Sequence, residues 1–108
     1  MGKIFSETHQ GFRVVGLRSD QVILKTVPQL GAKLLSLVHG PTGREWMWAP
    51  ASGLKLFANK TRDSFPDSTL SGADECIPTI SACKWRGLEL TDHGEAWTEA
   101  WTLDEAAL

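Results

Sequence analysis

The chain has 108 residues, which is enough for one domain and leaves no room for two. Hydrophobic residues make up 42% of it and charged residues 22%, which is typical of a globular protein and argues against a disordered one. The net charge of −2 gives no indication of a nucleic acid or an anionic membrane as a partner, and no apolar run approaches the roughly 20 residues that cross a bilayer.

Four segments in the first half have the pattern of β-strands, and together they predict an antiparallel meander. They are residues 12–18, 21–27, 32–39 and 44–48. Segment 32–39 is apolar on both of its alternating faces, which predicts that both faces of this strand are covered. Segment 44–48 places Trp46 and Trp48 on one face, and we expect both indoles to pack in the core.

The second half has fewer strand patterns. Residues 49–71 are rich in Pro, Gly, Asp and Ser, which predicts a long loop with one short strand at 54–57. Loops of this length are usually functional or poorly ordered. Residues 95–101 are compatible with a further strand, and residues 102–108 have a helix-forming composition but are too short for a stable isolated helix.

The two cysteines, Cys76 and Cys83, have a spacing that matches neither a zinc-ligand pair nor a disulfide framework. We expect both to be reduced, buried side chains that pack as small hydrophobic groups. Reduced cysteines, together with an N-terminus that does not resemble a signal peptide, predict a cytoplasmic protein.

The segment LTDHGEAWTEAW contains the most informative group of side chains. His93 lies between Asp92 and Glu95, whose carboxylates can hold one imidazole nitrogen and keep the ring available as a proton donor near neutral pH. Gly94 permits a sharp bend or a close backbone approach, and Trp97 adds a flat apolar surface. Such a group suits a sugar, whose hydroxyls bind carboxylates and whose C–H face stacks on an indole. A histidine in an ordinary surface loop is the alternative interpretation.

Other chemistries have weaker signals in this sequence. Neither a nucleotide-binding nor an acyl-hydrolase motif occurs. Asp74 and Glu75, with the acids beside His93, could supply the carboxylate pair of a glycosidase, although the sequence gives no distance between them. His39 and His93 have no spacing diagnostic of a metal site, so we expect neither a metal ion nor another cofactor.

Three phrases of the sequence together carry a resemblance to a known family. They are GAKLLSLVHGPTGREWMWAP, SGADECIPTISAC and LTDHGEAWTEAW. In combination they resemble the galactose mutarotase-like superfamily, which contains the aldose 1-epimerases. The residues of the third phrase that match the family pattern are Asp92, His93, Gly94, Glu95 and Trp97. Leu90-Thr91 stands where the family commonly has proline.

The resemblance implies an all-β fold, an antiparallel β-sandwich, of which residues 1–108 would form the N-terminal part of a single domain. It also implies that the parent domain binds a small sugar, a hexose or a related aldose, without a nucleic-acid or membrane partner. A sandwich without its remaining strands would expose unpaired sheet edges, so we expect self-association through those edges.

The family reaction exchanges the anomers of an aldose by opening and reclosing its ring, with a base at the anomeric hydroxyl and an acid at the ring oxygen. The resemblance implies that His93 is the catalytic residue on the acid side. We predict that the sugar contacts come from Asp74, Glu75, Asp92, Glu95 and Trp97. The family's base, a glutamate late in the sequence, has no counterpart here, so we expect little or no epimerase activity from the chain alone. A non-catalytic carbohydrate-binding or regulatory module and a purely structural fragment are the alternatives.

Overall fold

Most of the regular structure is an antiparallel sheet of five strands in chain order. The computed structural model describes residues 2–107. The strands are β1 (Lys3–His9), β2 (Phe12–Arg18), β3 (Val22–Val27), β4 (Lys33–His39) and β5 (Arg44–Glu45), and a separate hairpin is formed by β6 (Cys83–Trp85) and β7 (Leu88–Leu90). Short 3-10 helices cover Pro28–Leu30, Phe65–Asp67, Ala96–Thr98 and Glu105–Ala107. No α-helix occurs within the described range, so the prediction of a mostly β, antiparallel structure is confirmed.

Strands β2 to β4 lie within one residue of the predicted positions, because β-branched residues and turn residues mark them locally. The turn between β2 and β3 is closed by Ser19, whose Oγ accepts hydrogen bonds from the backbone N–H groups of Gln21 at 3.2 Å and Val22 at 3.1 Å. Strand β1 was not predicted. It is an edge strand whose residues are nearly all exposed, so its sequence lacks the apolar alternation of a half-buried strand.

The loop segment 54–57 is not the short strand that its sequence predicts. The tip of the β1–β2 hairpin holds it instead. The Gln10 side chain donates to the carbonyl of Leu54 at 2.7 Å and accepts from the N–H of Leu56 at 2.8 Å. One amide side chain therefore satisfies the backbone groups that a neighbouring strand would otherwise pair.

The predicted strand 44–48 ends early, at Glu45. The Glu45 carboxylate accepts hydrogen bonds from the N–H groups of Leu37 at 2.8 Å and Met47 at 2.9 Å, and so replaces backbone acceptors at the end of the ladder. Trp46 and Trp48, 57% and 64% exposed, lie outside the core, so the expectation that they pack there was wrong. The alternation that places them on one face does not determine whether that face is covered.

The hydrophobic core lies on one face of the sheet. It consists of Val14, Val27, Leu30 and Leu56, with Phe12, Leu35 and Leu54 packed against it. Apart from Lys33, the side chains of β4 are only half-buried, because the opposite face of the sheet is largely open. The expectation that both faces of this strand are covered is therefore not met within residues 2–107.

Residues 95–101 contain the 3-10 helix Ala96–Thr98 and no strand, because the Glu95 carbonyl accepts from the N–H of Thr98 at 3.0 Å and from its hydroxyl at 2.7 Å. The end of this segment is hydrogen-bonded to the turn before β4. The backbone N–H of Gly31 donates to the Glu99 carbonyl at 2.8 Å, and the backbone N–H of Trp101 donates to the Pro28 carbonyl at 2.9 Å. The segment thus packs across the end of the sheet. The predicted tail reaches one residue beyond the described range, at Leu108.

Both cysteines are free thiols, as expected, but Cys83 is exposed and Cys76 only partly buried. The expectation that both pack in the core was wrong, because the β6–β7 hairpin that carries Cys83 stands apart from the five-stranded sheet. Within residues 2–107 no helix is long and apolar enough to cross a bilayer.

We expect Val14→Ala to lower the free energy of unfolding by about 2 kcal/mol, because it removes two methyl groups from a fully buried position. Val22 is largely exposed and offers a matched substitution, Val22→Ala, which should cost less than about 1 kcal/mol. Urea denaturation of the three proteins followed by circular dichroism measures both effects. Equal losses from the two variants would contradict the position of the core.

Candidate functional site

His93 and Gly94 form the tip of a sharp backbone bend. Both have a left-handed backbone conformation, with φ of 58° and 68°. The Thr91 hydroxyl closes the bend by donating to the Gly94 carbonyl at 3.0 Å. A Cβ on Gly94 would collide with the carbonyl of Ile77, to which the loop is bridged. The close backbone approach predicted for Gly94 is therefore present.

The imidazole of His93 is held on one face and at one nitrogen. Its ring stacks on Phe65 with centroids 3.9 Å apart and planes inclined by 10°. Its Nδ1 lies 3.2 Å from Asp92 Oδ2. Since an ionised carboxylate only accepts, Nδ1 carries the proton in this contact, and Nε2 is the nitrogen left for a ligand. The side chain is 34% exposed, so a ligand in solution can reach it.

Trp97 packs against Phe65 and the backbone of the His93 loop. Its indole is 4% exposed, makes an edge contact with Phe65 at 5.2 Å, and donates from Nε1 to the Gly94 carbonyl at 3.0 Å. It therefore has no free face on which a sugar could stack, contrary to the interpretation of the sequence. Its place next to the histidine is as predicted, but it acts by packing.

Phe65 is the site residue that the sequence did not identify. It begins the 3-10 helix Phe65–Asp67 within the long loop 49–71. The one signal was the length of that loop, which predicted a functional or poorly ordered segment. Nothing local indicated which of its aromatic residues would meet His93.

A buried ion pair lies beside the aromatic group. Lys33 Nζ is 2.6 Å from Asp74 Oδ2 and donates to the Ser71 carbonyl at 2.8 Å, and the two charged side chains are only 5% and 7% exposed. Burial raises the pKa of Asp74, while the hydrogen bond and charge of Lys33, and more weakly the nearby His93, act to lower it. Asp74 therefore lies near His93, but its carboxylate is paired with Lys33. Its predicted direct contact with a sugar is not available in this arrangement.

The remaining predicted carboxylates differ in their surroundings. Asp92, not Glu95, makes the contact that orients His93. Glu95 is half-buried and is anchored through its backbone N–H, which donates to the Ile77 carbonyl at 2.8 Å. Glu75 is exposed and near enough to Asp74 to contribute to raising the pKa of that group. Asp92, Glu75 and Glu95 can therefore reach a ligand at the surface.

A cavity of about 10 Å³ lies between the ion pair and Trp97. This volume holds about one water molecule and excludes a sugar. Ser68 lines the cavity, and its hydroxyl has no hydrogen-bond partner within residues 2–107, so it can bind such a water. This cavity is therefore not a sugar site, and His93 does not line it.

No cluster of three or more His, Cys, Asp or Glu side chains that could hold a metal ion occurs in the described part of the chain. His39, which the sequence offered as a ligand, contacts the Thr42 hydroxyl through Nδ1 at 2.7 Å. The site is therefore a histidine–aspartate pair on an aromatic support. Such a pair can give or take a proton at Nε2 and can hydrogen-bond a polar ligand.

Comparison of the chain with models of protein families, with curated proteins and with solved structures finds no match. The resemblance to the galactose mutarotase-like superfamily accordingly stays a prediction. The chemistry of the His93 loop is the basis on which a function can be inferred.

We expect Lys33→Met to lower the free energy of unfolding by about 3–5 kcal/mol, because it leaves the Asp74 carboxylate buried without its partner. The double variant Lys33→Met/Asp74→Leu should be more stable than Lys33→Met, because it removes both charges. Chemical denaturation of the parent chain and of the two variants at neutral pH measures the three free energies of unfolding. A double variant as unstable as the single one would show that the loss comes from packing and not from the unpaired charge.

Proposed function

We propose that the protein binds an aldose sugar, a hexose or a related one, at the His93 loop, and that the loop supplies the acid side of aldose 1-epimerase chemistry. The observation that carries the proposal is the half-exposed His93, held by Asp92 at Nδ1 and by Phe65 on one ring face. This arrangement leaves Nε2 of a partly exposed, oriented ring as the nitrogen that can donate or accept a proton. The sequence resemblance supports the same function, because the residues of this loop carry it.

In the proposed reaction a base takes the proton of the anomeric hydroxyl while an acid protonates the ring oxygen. The bond between the anomeric carbon and the ring oxygen breaks, and the open aldehyde rotates before the ring closes as the other anomer. Histidine suits the acid role because its side chain titrates near neutral pH. The Asp92 carboxylate orients the ring through Nδ1, and Phe65 fixes the plane of the ring.

The sugar in this proposal is bound mainly by polar contacts. Three carboxylates around the loop, those of Glu75, Asp92 and Glu95, can accept hydrogen bonds from its hydroxyls. Asp74 and Trp97 act indirectly, since one is paired with Lys33 and the other is buried below Phe65. We also propose that the five-stranded sheet belongs to a β-sandwich. A cytoplasmic location agrees with the two free thiols.

A non-catalytic carbohydrate-binding or regulatory module is the second candidate, and one observation favours it for this chain. The reaction needs a base on the side of the ring bond opposite the acid. Asp74 is held by Lys33, and Asp92 is engaged at Nδ1 of His93, so neither carboxylate is free for that role. Binding without turnover is what these contacts support.

Titration with glucose or galactose should shift the NMR resonances of the His93 ring and of the Gly94 backbone amide. We expect His93→Ala to weaken binding by about two- to tenfold, because a hydrogen bond contributes about 0.5–1.5 kcal/mol. The matched control is His9→Ala, at an exposed histidine on β1, which should leave binding unchanged. If neither sugar moves these resonances at concentrations of tens of millimolar, the sugar site is wrong.

We expect the 108-residue chain to leave the mutarotation rate of α-glucose at its buffer value, as followed by polarimetry. The physical reason is that Asp74 is paired with Lys33 and Asp92 with His93, so neither supplies the opposing base, and one proton-transfer partner typically contributes about a hundred- to ten-thousand-fold. A rate well above buffer that disappears in His93→Ala would contradict this prediction. It would show that Glu75 or Glu95 acts as the base.

A further inference from the structure

A continuous row of apolar side chains crosses the face of the sheet opposite the core. Its members, which we call the apolar row, are Ile4, Leu17, Leu24, Leu37 and Trp46. Ile4 pairs directly with Leu17, Leu17 with Leu24, and Leu24 with Leu37. Trp46 follows β5 and donates from its backbone N–H to the Leu37 carbonyl at 2.9 Å. Since directly paired residues share a face, the row runs across the full width of the sheet.

The row is open to solvent along most of its length. Ile4 is 44% and Leu17 47% exposed, and Trp46 at the other end is more exposed still. Val22 lies beside the row on the same face, and with Leu37 and Trp46 it helps to line a surface hollow of about 230 Å³. The face thus has exposed apolar side chains, those of Ile4 and Leu17, at the β1 end and a hollow at the β5 end.

Within residues 2–107, only the other end of this face is covered. Arg13 forms an ion pair with Glu105 and donates to the Ser6 hydroxyl at 3.1 Å, and these contacts accompany the burial of Val15 beside them. Strand β4 is apolar on both faces, which is typical of a strand that is covered on both. The apolar row is the part of that second face for which residues 2–107 provide no cover.

We propose that the apolar row is an interface at which a second copy of this chain packs face to face with the first. Five strands spaced about 4.8 Å apart make the row about 20–24 Å long. With the flanking side chains, two copies would bury on the order of 1,000 Å² in total, which is the lower bound for a specific interface. The area indicates a concentration-dependent dimer rather than a permanent one.

Shape and charge select the symmetry of this dimer. Two stacked sheets lie about 10 Å apart with their strands within about 30° of each other. A twofold axis along β3 brings the Ile4 end of one copy to the Trp46 end of the other, so that the exposed apolar side chains of one copy lie opposite the hollow of the other. An axis along the row would instead bring the two Arg44 side chains together, each of which lies over its own Trp46 at 4.4 Å. That arrangement would place two like charges at an apolar contact, which is costly.

The proposed interface is independent of the sugar site. Lys33, which holds Asp74 near His93, pairs with Val27 and projects from the core side of the sheet. The proposed interface also differs from association through the edge of β1. In edge association, backbone groups of two strands would pair, and the apolar row would remain exposed.

Sedimentation equilibrium from about 1 µM to 1 mM tests the proposal, with weak specific association expected in this range. We expect the unmodified chain to become dimeric in the upper part of this range. Leu17→Arg should raise the dissociation constant at least about tenfold, because it places an unpaired charge in the interface. Trp46→Ser should do the same by removing the largest contact, and it serves as the second variant if Leu17→Arg fails to fold by circular dichroism.

The matched control is Ile80→Arg, which adds the same charge at a large hydrophobic residue that is 72% exposed and lies outside the five-stranded sheet. It should leave dimerisation unchanged. The proposal is overturned if the unmodified chain stays monomeric up to 1 mM, if a folded Leu17→Arg or Trp46→Ser variant dimerises like the parent, or if Ile80→Arg has the larger effect. Dimerisation that survives both row substitutions would indicate pairing at the edge of β1.

Discussion

The buried ion pair between Lys33 and Asp74 determines how the second half of the chain meets the sheet. Two charges withdrawn from water are tolerated only when their remaining hydrogen bonds are satisfied, and here the Ser71 carbonyl takes a second proton of the Lys33 ammonium. A reciprocal pair of backbone hydrogen bonds between Leu34 and Ala73, at 2.9 and 3.0 Å, runs alongside. The irregular segment that follows β5 is therefore fixed to β4 at one defined point.

The position of His93 follows from that point through backbone contacts and aromatic packing. The Ile77 carbonyl accepts from the N–H groups of Glu95 and Ala96, and Gly94 fits against the same backbone because it has no side chain. Phe65 then supports the imidazole from one side. None of these contacts depends on a long flexible side chain, so the ring is held before any ligand arrives, and preorganisation of this kind is what proton transfer requires.

The two faces of the five-stranded sheet have different surroundings. One carries the core and the ion pair, and the loop segments pack over it. The other carries the apolar row, which stays open, while the residues near Glu105 cover only the opposite end of that face within residues 2–107. A sheet in water is stable when its apolar faces are buried, so the incomplete cover of the second face is as much a physical property of this chain as the site on the first.

The sequence by itself determined β2, β3 and β4, the turn at Ser19 and the bend at Gly94, because these depend on residues that are neighbours in the chain. It also predicted that a neighbouring carboxylate holds the His93 ring, while the structure decided that this is Asp92 and not Glu95. Only the tertiary structure decided that Phe65 supports His93 and that Lys33 pairs with Asp74, which lies 41 positions later in the sequence. It also decided that Trp97 is buried while Trp46 and Trp48 are exposed. Periodicity shows which side chains share a face, but burial depends on which distant segment covers that face. No local pattern records that choice.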